Sequence, residues 1–577
     1  MMVFICGHLR NALTIVHWEQ LLINRIFGRY LIGIIKYHDI MKRIIIFTII
    51  SLSVLAGLSA QRCEFMRIYT DKECYLAGED LWIKVCVTDS AYYESMLSKV
   101  AYVEIGDTSQ IYAQGMIALQ NGIGWGHIKL PWTMHGGSYL LTAYTRFMRN
   151  DSVAFFPKKH IAVLNATQAL EGDEVERIDS IPSDILVTSP LPSLTDSSVY
   201  GNRSKVTLTL PDLPENAREL TLSVVRKDCE ILGSPEPAEL QCITASASHY
   251  RFVPECEGHI VTGKLIGASA DSVDTRLACV GQDIRIFDGQ RQSDGAYFFY
   301  TSEIDGLQDV VLTALQQKEE QCRLEIVPPF AGIHARHLPK LRVACKEREL
   351  VERSLGVQML RVLPATSAQE PKVVEHLHDF SPSVSYDLTE YTRFATLRET
   401  LTEFVTEVRT KKDGDKTFIR VLHENARHFS ELKALVLLDG VPIEDHEAIL
   451  DYDARLLHYI HQYSGKYTFG KNIYDGIVSL VTYKGNLFGI RLDENSQQFS
   501  YEFPQNRPVF TAPVYDSETR LDSRIPDFRH TLYWNPDITS AVVSFYTSDM
   551  KGMYLITLQG VTTDGKIIKI QSRFVVK

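Results

Sequence analysis

Two histidine pairs are the first residues whose type and spacing could do chemistry. His376 and His378 in HLHD (376–379) share a face of an extended chain, whereas His458 and His461 in HYIHQY (458–463) share one only where a helix runs through them. Either pair could offer imidazole nitrogens to a metal. The simpler reading of both is a hydrogen-bonded or solvent-exposed histidine. GIGWG (122–126) has the glycine spacing of a phosphate cradle, but strand-like segments flank it and no helix follows, so it reads as a hairpin. No Gly-x-Ser-x-Gly, His-Glu-x-x-His or P-loop motif occurs. Nothing in the spacing of the 71 Asp and Glu residues singles out a catalytic pair. No catalytic, cofactor-binding or metal-binding residue is assigned.

The ten cysteines end at Cys345 and include no Cys-x-x-Cys pair. They are too sparse for a disulfide scaffold and read as buried free thiols or as one or two bridges, with zinc unsupported. The formal net charge is −11, and residues 1–60 carry six Lys/Arg against two Asp/Glu, so the remainder is more acidic still. An acidic chain without a basic run has no electrostatic footprint for nucleic acid.

The elements that must position any site begin after MKRIIIFTIISLSVLAGLSAQ (41–61). Lys42 and Arg43 precede an apolar run from Ile44 to Leu58 that ends in small residues, the pattern of a signal peptide over 41–60. Residues 1–40 then read as a non-native extension, with Met41 as the start. Export to the periplasm, or to a peripheral association with the outer membrane, is the expectation. From 64 to 330 the pattern alternates apolar and polar residues, as in LWIKVCVTD (81–89), KVAYVEI (99–105), YLLTAYT (139–145) and KVTLTLP (205–211). This spacing predicts antiparallel β-sandwiches. Helical spacing takes over in CKERELVERSLGVQMLRVL (345–363). It returns in DLTEYTRFATLRETLTEFVTEVR (387–409), where Thr396 and Glu399 form a capping-box pattern, with a polar linker between the two.

Within RIYTDKECYLAGEDLWIK (67–84), the residues Asp71, Tyr75, Gly78, Glu79 and Trp82 resemble the signature opening a macroglobulin domain of the alpha-2-macroglobulin superfamily. GGSYLLTAYTRFMRN (136–150) resembles the strand that closes the same domain in Bacteroidetes members. The resemblance implies a hairpin: Asp71 in a turn, Tyr75 packed inward, and Gly78 turning the chain before the strand at Leu81. The superfamily's Cys-Gly-Glu-Gln thioester is absent, which excludes covalent protease trapping of that kind. Residues 258–315 resemble a carboxypeptidase-regulatory-like sandwich. Its hairpin is Asp294-Gly295, with Tyr297 and Phe299 alternating inward.

Residues 432–482 resemble the plug of a TonB-dependent receptor. Asp439, Gly440, Pro442, Gly465, Gly470, Gly476 and Thr482 hold the matching places. The order expected is a strand, the VPIED turn, a helix over HEAILDYDARLLHYI and a further pair of strands. Asp453 lacks the proline that follows in the family pattern, and Asp475 replaces a glycine. Only 95 residues follow Thr482, fewer than the 200 or more that a 22-stranded barrel would need at about ten residues a strand, so transport through this chain itself is excluded.

The fold class expected is mainly β, with tandem antiparallel β-sandwiches plus one small α/β plug-like domain. The segments are a macroglobulin-like sandwich at 61–165, a second sandwich at 197–255 and the regulatory-like sandwich at 256–330. A helical and linker region at 336–410, the plug-like domain at 411–500 and a C-terminal sandwich at 515–577 follow. Together these resemble secreted Bacteroidetes envelope proteins, which implies a non-enzymatic binding or scaffold role with an envelope protein as partner, an outer-membrane barrel being one candidate. The competing reading is a hydrolase or carbohydrate-active enzyme using a carboxylate pair that no motif reveals.

Overall fold

In the computed structural model the described residues are 64–89, 93–168, 175–178, 193–232, 251–267, 273–315, 322–362, 381–414, 416–423, 428–469, 472–517 and 524–577. The expected extension, the signal segment, the HLHD pair and Gly470 lie outside them. The fold is mainly β, with three two-sheet sandwiches, an α/β module and a small three-stranded sheet.

In the strand Asp80–Thr88, Leu81, Ile83, Val85 and Val87 fall on one face and are buried. That period of two seals a three-stranded sheet, made with Phe65–Thr70 and Ile123–Lys129, onto a five-stranded one. The second sheet runs Cys74–Leu76, Lys158–Leu164, Gly137–Thr145, Val100–Gly106 and Ile111–Ala118. GIGWG enters the strand Ile123–Lys129.

The segments expected as two separate sandwiches, 197–255 and 515–577, share one sheet. Ala217–Arg226 pairs on one edge with Gly552–Thr562 and on the other with Thr531–Asn535. Val199–Tyr200 runs parallel to the end of Ile567–Val576. Lys205–Thr209 pairs with Val542–Tyr546 over the same core, which includes Leu208, Val224, Phe545, Tyr554 and Phe574. Alternation shows that ELTLSVVRKD is a strand, but its two unpaired edges require partners that the local sequence does not name.

The third sandwich sets Gln290–Arg291, Ala296–Tyr300, Ile260–Ile266 and Arg323–Val327 against Ile286–Asp288, Asp274–Cys279 and Leu307–Leu315. A fourth strand in the latter sheet, Ser496–Glu502, returns from beyond the α/β module to pair with Leu307–Leu315. The module sheet is ordered Val384–Asp387, Leu457–Phe469, Asn472–Thr482, Leu435–Leu438 and Val441–Pro442. The helix Leu397–Glu403 and the hairpin Val408–Asp413/Lys416–Val421 pack into its core, so the module begins near 384 rather than 411. The region read as helical, 336–410, thus divides between the helix Glu347–Val362 and this module.

The capping box at Thr396 and Glu399 is formed, but its helix stops at Glu403. The helix expected over 446–460 is only His446–Leu450. Asp453 then caps a single 3-10 turn, and the β-branched and aromatic run from Leu457 continues as a strand. His458 and His461 therefore sit in an extended chain, and a register shift between Leu457 and Tyr459 leaves both beside the Tyr459 ring, at 3.9 and 5.4 Å, so they share a face after all. A small sheet of Cys229–Ile231, Leu341–Cys345 and Val175–Ile178 lies beside the start of the helix Glu347–Val362. No described helix is long and apolar enough to cross a membrane, which says nothing of a β-barrel.

Candidate functional site

The macroglobulin-like signature folds as its residue types require. The Asp71 carboxylate accepts from the Tyr75 hydroxyl at 2.8 Å and the Trp82 backbone N–H at 3.3 Å, closing the hairpin. Gly78 has φ +92°, and a Cβ there would lie 2.5 Å from the Trp132 ring. Glu79 turns back into the hairpin and accepts from the Leu76 N–H at 3.2 Å.

Four residues far away in sequence complete this cluster. The Arg353 guanidinium, carried by the helix Glu347–Val362, donates from Nε to Glu79 Oε1 and from Nη2 to Glu79 Oε2, each at 2.7 Å. It also reaches Asp228 Oδ1 at 3.0 Å and the Cys74 carbonyl at 2.9 Å. Lys72 stands 3.2 Å from Glu79 and 3.5 Å from Asp71. From the composite sandwich, Thr531 donates to Asp71 at 3.1 Å, and His530 Nε2 lies 3.2 Å from Asp228 Oδ2.

All these groups are buried or nearly so, and burial alone would push the carboxyl pKa values up. At Glu79 the charges of Arg353 and Lys72 overcome it, and at Asp228 those of Arg353 and then His530, so both are held well below the usual carboxylate range. Burial lowers Arg353, but Asp228 and Glu79 more than reverse that. Burial, then the Arg353 charge, lowers His530, and Asp228 opposes them only in part. The result is a buried ionic junction joining the first sandwich, the composite sandwich and the helix.

Around it the first sandwich faces the composite one through further polar contacts. Arg67 Nε and the Tyr69 hydroxyl both donate to Glu219 at 2.8 Å, and the Trp82 ring lies 5.1 Å from that of Trp534. Against the third sandwich, buried Glu255 accepts from the Tyr102 hydroxyl at 2.7 Å and sits 3.1 Å from His259 Nδ1. The ring's Nε2 is 2.7 Å from the Tyr501 hydroxyl. This is a glutamate and histidine within proton-transfer distance, both buried between modules.

The plug-like motif makes a second junction by other means. Asp439 takes φ +44° and is fully buried. Its carboxylate accepts from the Thr482 N–H and hydroxyl, both at 2.7 Å, and from the Leu487 N–H at 2.8 Å. Two residues matched separately to the motif, Asp439 and Thr482, are therefore direct partners. Gly440 has φ +79°, and a Cβ there would come within 2.9 Å of the Cys279 and Asp283 carbonyl oxygens of the third sandwich. The Gly281 N–H donates to the Asp439 carbonyl at 2.9 Å. Gly476, at φ +105°, admits Val421 so closely that a Cβ would lie 2.6 Å from that side chain. Pro442 ends the short edge strand. Asp475, in a glycine's place, is buried 2.9 Å from His423 Nε2.

Asp294-Gly295 forms its hairpin, with Gly295 at φ +84° and Tyr297 and Phe299 buried beneath it. The structure brings Asp71, Tyr75, Gly78, Glu79 and Trp82 together at one junction and Asp439, Gly440 and Pro442 at another. Asp294 and Gly295 belong to neither. Sequence reasoning missed Arg353, Asp228, His530 and Thr531. Glu79 and Arg353 are 274 positions apart, and no local pattern pairs them.

Among the described residues no group of three or more His, Cys, Asp or Glu is arranged to hold a metal ion. A groove lined by Ser138, His160, Ile231, Leu341 and Arg342 among others has no carboxylate in its wall. Neither junction opens onto it.

The sequence matches no protein-family model and no curated protein. Among solved structures, trypsin-activated alpha-2-macroglobulin from Escherichia coli is similar at 9% identity, over 90% of this chain and 42% of that one, with a TM-score of 0.22. Salmonella alpha-2-macroglobulin reacted with methylamine is similar at 9% identity, over 89% and 23%, with a TM-score of 0.16. Dimeric latent PorU from Porphyromonas gingivalis is similar at 9% identity, over 89% and 34%, with a TM-score of 0.13. The chain spans less than half the length of these proteins. Superpositions this loose assign no residue correspondence and carry no argument about activity.

Proposed function

We propose that this chain is an exported, non-enzymatic binding or scaffold protein of the bacterial envelope, acting in the periplasm or at the outer membrane. The observation that supports this reading is where the motif carboxylates point. Asp71, Glu79 and Asp439 are each buried against backbone donors or cations at a junction between modules. A hydrolase needs its acid and base at a surface that substrate can reach. Here they instead fix the relative placement of β-surfaces, the requirement of a scaffold that must present several faces at once.

The finer part of the proposal is that the α/β module makes the chain an accessory of a separate outer-membrane barrel of the TonB-dependent kind. It rests on the residues Asp439, Gly440, Gly476 and Thr482, whose geometry builds a plug-like corner packed against the third sandwich. The test is affinity purification of the tagged full-length chain from envelope fractions, with wild type compared with Gly440→Val. Recovery of a barrel transporter with wild type and its loss with the variant is the expected result. Recovery of no envelope protein above a tag-only control overturns the scaffold reading, and glycan or ester hydrolysis by the purified chain would favour an enzyme.

A further inference from the structure

Three cysteines from three separate segments meet beside the ionic junction. Cys74 opens the strand Cys74–Leu76 of the first sandwich, Cys229 opens Cys229–Ile231, and Cys345 closes Leu341–Cys345. Each is a free, half-buried thiol. Cys229 and Cys345 are directly opposite in an antiparallel pair. The Leu232 N–H donates to the Arg342 carbonyl at 2.9 Å, which makes 232/342 a hydrogen-bonded pair. Counting back with the alternation of an antiparallel ladder, 229/345 is a non-hydrogen-bonded pair. Such pairs hold the Cα atoms at about 4.5 Å with side chains close, inside the range of about 4.4–6.8 Å that a disulfide spans. Cys74, Cys229 and Cys345 all pack against the same small core, and the Cys229 thiol interacts with both of the others.

We propose that these three residues form a thiol–disulfide site in which oxidation links Cys229 to Cys345 and Cys74 exchanges into that bond. The hydrogen bond from Cys229 lowers the pKa of the Cys345 thiol, burial opposes it and the Arg177 charge adds to it, which favours Cys345 as the attacking thiol. It attacks one sulfur of an oxidising disulfide and expels a thiolate. Cys229 then displaces the second half from the mixed disulfide. Two protein thiols are oxidised, and the oxidant's disulfide is reduced to two thiols that take up the two protons. In the exchange step the Cys74 thiolate attacks the Cys229 sulfur and releases Cys345 as thiolate, with no net electron transfer. The first bond staples the two strands of the small sheet together, and the second staples the first sandwich to that sheet. The site is independent of the envelope reading, because it rests only on the register and the meeting of three sulfurs.

The experiment is disulfide mapping of the full chain. Protein incubated with oxidised glutathione is alkylated, digested without reduction and read by mass spectrometry. A Cys229–Cys345 linked peptide is expected in wild type and in Cys74→Ser. A Cys74–Cys229 link is expected in Cys345→Ser. Full alkylation of both Cys229 and Cys345 after oxidation, or glutathione adducts without an internal link, overturns the proposal. So does a soft metal ion that co-purifies with the reduced chain and blocks alkylation of all three thiols. The wild-type map stands alone should a variant fail to fold.

Discussion

The two junctions solve one problem, fixing one module against another, with opposite physics. At Arg353 the bond is between charges: one guanidinium holds two carboxylates in a space closed to water. At Asp439-Gly440 it is geometric: a turn with two successive positive φ values brings the backbone against the Cys279–Asp283 carbonyl oxygens, where no side chain fits. A buried ion pair tolerates displacement poorly because either partner alone is left uncompensated, whereas a glycine contact fails by overlap. The first should therefore respond to charge and pH, and the second to volume.

The largest expected effect that separates them is Arg353→Met. It leaves Glu79 and Asp228 buried without their cation and should cost about 3–5 kcal/mol, read as a fall in the urea midpoint. A variant of wild-type stability would show that the carboxylates, not the arginine, organise the junction. Next is Gly440→Val, whose forced φ alone should cost roughly 1–3 kcal/mol. Hydrogen exchange should then rise at 279–283 and 435–443 while the first sandwich stays protected. Uniform loosening would mean that the two junctions are one cooperative unit.

Acid sharpens the comparison further. Glu79 and Asp228 have folded pKa values below their unfolded ones, so their contribution is present above about pH 4 and is lost on further acidification. His530 is lowered as well, and in the α/β module burial, then the Lys433 charge, pushes His446 down to about 4. The His446 ring accepts the Ile419 N–H at 3.0 Å through Nδ1, which requires the neutral form. For both histidines the unfolded chain binds the proton more readily. Stability is full above about pH 6.5 and declines toward pH 4. Denaturant midpoints measured from pH 7.5 to 4 should fall steadily, and His446→Asn should flatten the upper part of that slope. The smallest effect is Thr531→Val, which removes one hydrogen bond to Asp71 and should cost about 1 kcal/mol by thermal denaturation.

Local features were legible in the sequence. Asp294-Gly295 above Tyr297 and Phe299, the Thr396 and Glu399 capping box, and the alternation through Val85 each depend on residues a few positions apart, and each is formed. The helix over 446–460 was misjudged because spacing alone does not separate a buried helix from a strand. The β-branched and aromatic residues after Leu457 decided for the strand. The partners of Ala217–Arg226 were invisible because pairing across some 300 residues leaves no mark at either end. The signature residues were found as a hairpin, but Arg353 and Asp228 were not, since an isolated arginine in a charged helix looks solvated until the fold encloses it.

The composite sandwich has a consequence for the order of events when the chain folds. Ala217–Arg226 waits for Gly552–Thr562 to emerge from synthesis before its sheet can close, and Ser496–Glu502 imposes a shorter wait on Leu307–Leu315. Contacts of such separation carry a loop-closure penalty before they return any stability, which slows assembly and leaves strand edges open in the meantime. The first sandwich, whose strands all lie between 65 and 164, can form early, while its neighbour stays unfinished until the last strands arrive. Nascent chains of this protein should therefore depend on chaperones mainly for the segment between 199 and 577.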